Sequence, residues 1–156
     1  MSWNLNLPDE AATLRLGAAL AAGATAGRVL HLRGDLGAGK TTLVRGLLGA
    51  LGHTGRVKSP TYTLVEVYTL SSLNFYHFDF YRFKHPSEWL DSGFRDYFNP
   101  QSVCVVEWPE RAGDLPAPDL EISLEFLGEA RRASLLASSD AGRSWLSSAQ
   151  PRLSSS

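Results

Sequence analysis

The sequence predicts an α/β domain, and three features carry that expectation. Residues 28–33 (Arg-Val-Leu-His-Leu-Arg) read as a short strand running straight into the glycine loop Gly34-Asp35-Leu36-Gly37-Ala38-Gly39-Lys40-Thr41. Beyond that loop Leu43, Val44, Leu47, Leu48 and Leu51 recur at helical spacing. Farther on, Val103-Cys104-Val105-Val106 is an unbroken apolar run that ends on Glu107, the pattern of a buried strand. Strand, glycine loop and helix in this order are the setting in which a phosphate-cradling P-loop works.

The remaining elements follow from local pattern. Residues 3–7 alternate apolar and polar, as in a short edge strand. Pro8-Asp9-Glu10 reads as a helix start, with proline in the first turn and acids at the positive end of the dipole. Leu16 and Leu20, with Ala12 and Ala19, give that helix an apolar stripe to about Ala22, and Gly23 and Gly27 mark its end. Gly52 supplies the stop for the helix after the glycine loop. Residues 63–81, rich in β-branched and aromatic side chains, predict a hairpin broken at Ser71-Ser72-Leu73-Asn74. Residues 86–98 read as mixed helix and loop, 120–126 as a half-exposed strand, and 132–138 as its paired strand. The polar end of the chain carries too little apolar content to order itself. A single domain is therefore expected over residues 1–148, with a disordered tail over 149–156.

Composition narrows the function classes. With 44% hydrophobic and 20% charged residues the chain has the profile of a soluble globular protein. No apolar run approaches the about 18–20 residues needed to cross a bilayer, and the N-terminus lacks the layout of a signal peptide. Cys104 is the sole cysteine, which excludes an internal disulfide and suits a reducing cytoplasm. The net charge of −1 and pI near 6.4 show none of the basic surplus of a free-standing nucleic-acid binder. Any contact with RNA is expected to be arranged by a partner.

The glycine loop assigns the first site residues. Backbone N–H groups around Gly37, Ala38 and Gly39 curl toward a phosphate, Lys40 reaches the β- and γ-phosphates, and the Thr41 hydroxyl ligates Mg²⁺. Thr42 is placed to bond the α-phosphate or to share the metal role. Glu107, at the carboxyl end of a buried strand, is the candidate acid that holds the metal or orients the attacking water; a solvent-facing acid at a strand end is the alternative. Ser59, Thr61 and Thr63 make the 58–63 loop dense in hydroxyls, as in a segment that senses a γ-phosphate, or else a simple capped turn. Asp79, set among aromatics at a strand end, is expected to meet a metal, an arginine or backbone N–H groups, a purely structural pair with Arg82 being the alternative. The helix start at Asp9, Glu10 and Thr13 is the candidate neighbour of the base. Arg131 and Arg132 fall in an expected turn, either solvated or touching the nucleotide. The four histidines, His31, His53, His77 and His85, show no metal-ligand spacing and read as core or surface residues. Trp108-Pro109 reads as packing beside the site or as a contact to a partner or base.

Four blocks occur in order: Gly34 to Thr42, Ser59-Pro60-Thr61-Tyr62-Thr63-Leu64-Val65-Glu66, His77-Phe78-Asp79-Phe80-Tyr81-Arg82, and Val106-Glu107-Trp108-Pro109-Glu110. Together they resemble the TsaE family, formerly YjeE, over residues 5–145. Departures are small: Phe80 stands where the family often has leucine, and the tail is idiosyncratic. The resemblance implies a P-loop NTPase-like three-layer sandwich with a central mixed β-sheet. It implies binding of ATP and Mg²⁺ and slow ATP hydrolysis in support of the TsaB and TsaD proteins. Those partners form N6-threonylcarbamoyladenosine in tRNAs that read codons beginning with A, so tRNA is met only through the complex. A small P-loop kinase and a non-catalytic nucleotide-gated module are the alternatives; Arg82, Arg95 and Arg111 are scattered and form no clear kinase lid.

Overall fold

A computed structural model describes residues 1–154. Seven strands form one mixed sheet: β1 (Ser2–Leu7), β2 (Val29–Arg33), β3 (Val65–Leu70), β4 (Leu73–Asp79), β5 (Ser102–Glu107), β6 (Leu120–Leu127) and β7 (Ala130–Ala137). Their spatial order is β1-β7-β6-β2-β5-β4-β3. The inner neighbours β6, β2, β5 and β4 run parallel, while β1–β7, β6–β7 and β3–β4 are antiparallel. β5 is buried at every position because both of its faces are covered, which is why its sequence shows no polar alternation. β6, nearer the edge, alternates as expected in its first half.

Helices α1 (Glu10–Ala19), α2 (Lys40–Ala50) and α4 (Asp140–Ser154) cover one face, while the short α3 (Glu88–Ser92) and a 3₁₀ turn at Phe94–Tyr97 lie over the other. The first face is mainly aliphatic, with Leu16, Leu43 and Leu47 meeting Leu32, Val105 and Ile122. The second is aromatic: Phe78, Phe80, Phe83 and Trp89 cluster with Phe94 and Phe98. There the Phe78 and Phe98 rings stack with centroids 5.2 Å apart, and Phe80 stacks on Phe83 at 4.7 Å. Such a pair adds about 0.5–1.5 kcal/mol beyond area burial. Cys104 lies in this face; burial pushes its thiol up to about 12, so it is an inert packing residue.

α1 and α2 approach until their backbones touch. A methyl group added at Gly17 would land on the Leu43 carbonyl oxygen, and one at Gly46 on the Leu14 carbonyl oxygen. Glycine at both positions is therefore a packing requirement.

The structure departs from the sequence reading in several places, among them Arg131 and Arg132, expected in a turn but lying in β7, paired on both sides with β1 and β6. Asp9 caps α1 by accepting from the Ala12 N–H at 2.8 Å, so Pro8 precedes the cap instead of occupying the first turn. The hairpin turn is only Ser71-Ser72, because Leu70 and Leu73 already pair. The tail expected over 149–156 is corrected: α4 continues to Ser154, and Ser155 and Ser156 lie outside the described residues. Ser139 caps this helix through the Gly142 N–H, Trp145 donates its indole N–H to the Leu20 carbonyl at 2.9 Å, and Leu153 packs on the core. Trp145, Leu146, Ala149 and Leu153, docked on the core, hold a helix whose composition alone predicts none.

Candidate nucleotide site

The three parallel strands β2, β5 and β4 end on the same edge of the sheet. Register pairs Leu32 with Glu107 and Glu107 with Asp79, so the glycine loop and both carboxylates meet there. They line a cleft of about 230 Å³ together with Leu36, Lys40, Thr41, Thr42, Ser59, Thr61 and Trp108. This is the crevice beyond the carboxyl ends of the strands where open α/β sheets take ligands.

The P-loop wall is shaped by the backbone. Gly39 caps α2 at φ 110°, a conformation that side chains with a Cβ rarely adopt. Lys40 begins the helix and is only 5% exposed. Its ammonium donates to the carbonyl oxygens of Gly34 and Asp35, the latter at 3.4 Å, and sits 4.3 Å from the centroid of the Trp108 ring. Burial lowers the Lys40 pKa, opposed by the charges of Glu107, Asp79, Glu110 and Asp35. A partly desolvated cation resting on carbonyls has much to gain from a multiply charged anion.

The acid wall is equally specific. Glu107 is 3% exposed, and its Oε2 accepts from the Thr41 hydroxyl at 3.2 Å and contacts His77 Nε2 at 2.6 Å. Asp79 accepts from the Tyr81 N–H at 2.9 Å and from the Thr61 hydroxyl at 3.3 Å. Burial raises the Asp79 pKa; the Tyr81 N–H opposes this, and the Glu107 charge adds to it. The alternative partner, Arg82, stacks over the Tyr62 ring at 4.8 Å instead.

A second cavity of about 150 Å³ adjoins the first across Gly37, Ala38, Gly39 and Thr42. Leu7, Asp9, Glu10, Thr13, Glu129 and Arg131 complete it. Arg131 donates to the Gly37 carbonyl at 3.3 Å and lies over the Phe126 ring. Glu10 also pairs with Arg45 at 3.6 Å. Of the three hydroxyls singled out in the 58–63 loop, Ser59 and Thr61 line the main cleft and bond each other at 2.8 Å, while Thr63 bonds Glu66 and does not line it.

The donor set suits Mg²⁺ bound with a polyphosphate. Among the described residues no cluster of three His, Cys, Asp or Glu side chains forms a closed metal cage. Mg²⁺ does not need one, since one or two protein ligands plus phosphate oxygens and waters are its usual shell. Thr41 and Glu107, already in contact, supply that minimum.

Trp108 packs beside the site as the sequence suggested, but its contact with Lys40 and the contact of His77 with Glu107 were not foreseen. His77 is fully buried against Glu107, and Trp108, at φ 57°, carries its ring beneath Lys40. The spacing of His77 and Asp79, two apart on one strand and so on one face, was the available signal. His31 is a core histidine, which burial lowers to about 4.

Comparison with known proteins shows the family and the fold. The family model described as "Threonylcarbamoyl adenosine biosynthesis protein TsaE" matches residues 7–134. A Haemophilus influenzae protein named "tRNA threonylcarbamoyladenosine biosynthesis protein TsaE" is 44% identical over 147 residues, spanning 90% of this chain and 93% of the relative. A Bacillus subtilis protein of the same name is 41% identical, spanning 85% and 82%. The crystal structure of Bacillus subtilis YdiB aligns with a TM-score of 0.78 at 29% identity, covering 97% of this chain and 95% of that one. A P-loop that shares its cleft with two strand-end carboxylates, in a chain alike to these relatives along most of its length, belongs to the TsaE family.

Proposed function

We propose that this chain is a Mg²⁺-dependent ATP-binding protein with slow ATPase activity. It supports the TsaB–TsaD complex in forming N6-threonylcarbamoyladenosine in tRNAs that read codons beginning with A. The observation that carries this reading is the convergence of Lys40, Thr41, Asp79 and Glu107 on one cleft at the ends of three parallel strands. The family model's description and the names of the relatives support the place in tRNA modification.

In this reading the N–H groups of Gly37 to Lys40 and the Lys40 ammonium bind the outer phosphates. Thr41 or Thr42 and Glu107 hold Mg²⁺, which neutralises charge on the β- and γ-oxygens when bound. Glu107 orients the attacking water. Thr61, tied to Asp79, reports the γ-phosphate to the 58–63 loop. The smaller cavity, with Glu10 and Arg131, takes the base end of the nucleotide. The near-neutral charge fits a cytoplasmic protein that meets tRNA through its partners.

The test is phosphate release measured alone, with TsaB and TsaD, and with magnesium chelated. Slow release that needs Mg²⁺ and rises with the partners is expected. Failure to bind ATP would overturn the reading, and phosphate appearing on a small acceptor would favour a kinase.

A further inference from the structure

We infer that His77 is a positioning residue for Glu107: its Nε2–H holds one carboxylate oxygen so that the other is the one presented to the cleft. This rests on the reading of Glu107 as the acid acting in ATP hydrolysis.

His77 lies on β4 opposite Val105 of β5, two residues before Glu107 and on the same face. On that face the apolar, fully buried Phe75, Val103 and Val105 flank it on the core side, with Asp79 and Glu107 toward the cleft and Glu66 paired with it from β3. A histidine there is costly, and its Nδ1 is buried with no hydrogen-bond partner. The exception needs a reason, and the 2.6 Å contact from Nε2 to Glu107 Oε2 supplies one. Oε2 already accepts from the Thr41 hydroxyl, so it is an acceptor toward Nε2 as well, and Nε2 carries the hydrogen. The unpartnered Nδ1 is then a bare lone pair, which is less costly to leave unpaired than an N–H. Two donors from different elements, β4 and α2, thus converge on Oε2. Oε1 has no hydrogen bond among the described residues, yet it is not among the buried unpartnered atoms. In a side chain that lines the cleft, Oε1 is therefore the exposed oxygen. Without His77 the carboxylate can rotate, and the same acid is present but misdirected.

The alternative is that His77 merely fills space, and two variants separate the readings. Glutamine can place an amide N–H near the position of Nε2, whereas leucine fills the volume without a donor. His77→Leu is expected to lower kcat by about ten- to a hundredfold, the usual scale for removing a group that orients a ligand or catalyst. Affinity for a non-hydrolysable ATP analogue should be unchanged, and His77→Gln should recover most of the rate. Independently of activity, ¹H–¹⁵N spectra of the nucleotide-free protein should show a protected Nε2–H on His77 that shifts in Glu107→Gln. A wild-type kcat in His77→Leu would overturn the inference, as would equal losses in the leucine and glutamine variants. A proton found on Nδ1 in place of Nε2 would do the same, and that measurement stands even if His77→Leu does not fold. Should Glu107→Ala hydrolyse ATP like the wild type, the reading of Glu107 itself fails. If that variant is inactive while His77→Leu is unimpaired, only the positioning role is lost.

Discussion

Apart from the buried acids, the main cleft has two sides built from opposite materials, the P-loop and the 58–63 loop. The P-loop wall is the first turn of a helix pinned by backbone contact to its neighbour, with Ala38 and Lys40 buried. The facing wall, the 58–63 loop, has no strand or helix, and Tyr62 at its tip is 81% exposed. Hydrogen bonds hold that loop: Thr61 to Asp79, Ser59 to Thr61, Thr63 to Glu66, the Lys58 N–H to the Tyr68 hydroxyl at 3.3 Å, and the Leu64 N–H to the Pro60 carbonyl at 2.7 Å. It joins β3 through Leu64 at φ 70°, a left-handed conformation that costs a residue with a Cβ about 1–2 kcal/mol. A wall with dense packing is suited to binding; one with few buried contacts and stored backbone strain is suited to responding.

The largest expected effect strikes the fixed wall. On the proposed function, Lys40→Ala removes the buried cation and should weaken ATP binding by about 2–5 kcal/mol with the fold intact. Calorimetry showing wild-type affinity would break the assignment of that wall to binding. Next comes Glu107→Ala, which should keep ATP but lose about ten- to a thousandfold in hydrolysis, read from steady-state phosphate release. Gly17→Ala tests what makes the wall fixed: forcing α1 away from α2 should cost about 1–3 kcal/mol of stability, seen as a lowered Tm. The smallest effect belongs to the responsive wall. Thr61→Ala should cost about 0.5–1.5 kcal/mol of coupling between ATP and the partner complex while leaving ATP affinity alone. Titrating the complex against ATP-analogue-loaded and ADP-loaded protein reads this directly, and equal losses in affinity and coupling would erase the distinction between the walls.

What was legible in the sequence follows from the range of the interaction. The P-loop, the buried run ending on Glu107 and the alternation in β6 are local patterns, and each element lies where it was expected. The helix from Asp140 was not visible, because Ser, Gly and Pro dilute its stripe and its hold depends on Trp145 reaching Leu20, distant in sequence. The pairing of His77 with Glu107 was hidden for the same reason: thirty positions separate them, and only the parallel register of β4 and β5 joins them. Arg131 could be named as a nucleotide contact or as solvated surface; its bond to the Gly37 carbonyl puts it at the rim of the smaller cavity.

The seam at Gly17 and Gly46 has a mechanical consequence. Helices separated by side chains can slide by exchanging rotamers, whereas helices in backbone contact have a separation set by atomic radii alone. α1 starts at the rim of the smaller cavity with Asp9, Glu10 and Thr13, and α2 starts at the P-loop. Backbone contact at Gly17 and Gly46 therefore makes the approach of α1 to α2 a hard gauge between two helices whose starts line the adjoining cavities. On the proposed function, a nucleotide bridging them meets the same gauge before and after losing its γ-phosphate. On that same reading, a response to loss of the γ-phosphate is expected in the 58–63 loop, which meets β3 at the left-handed Leu64 and carries the exposed Tyr62.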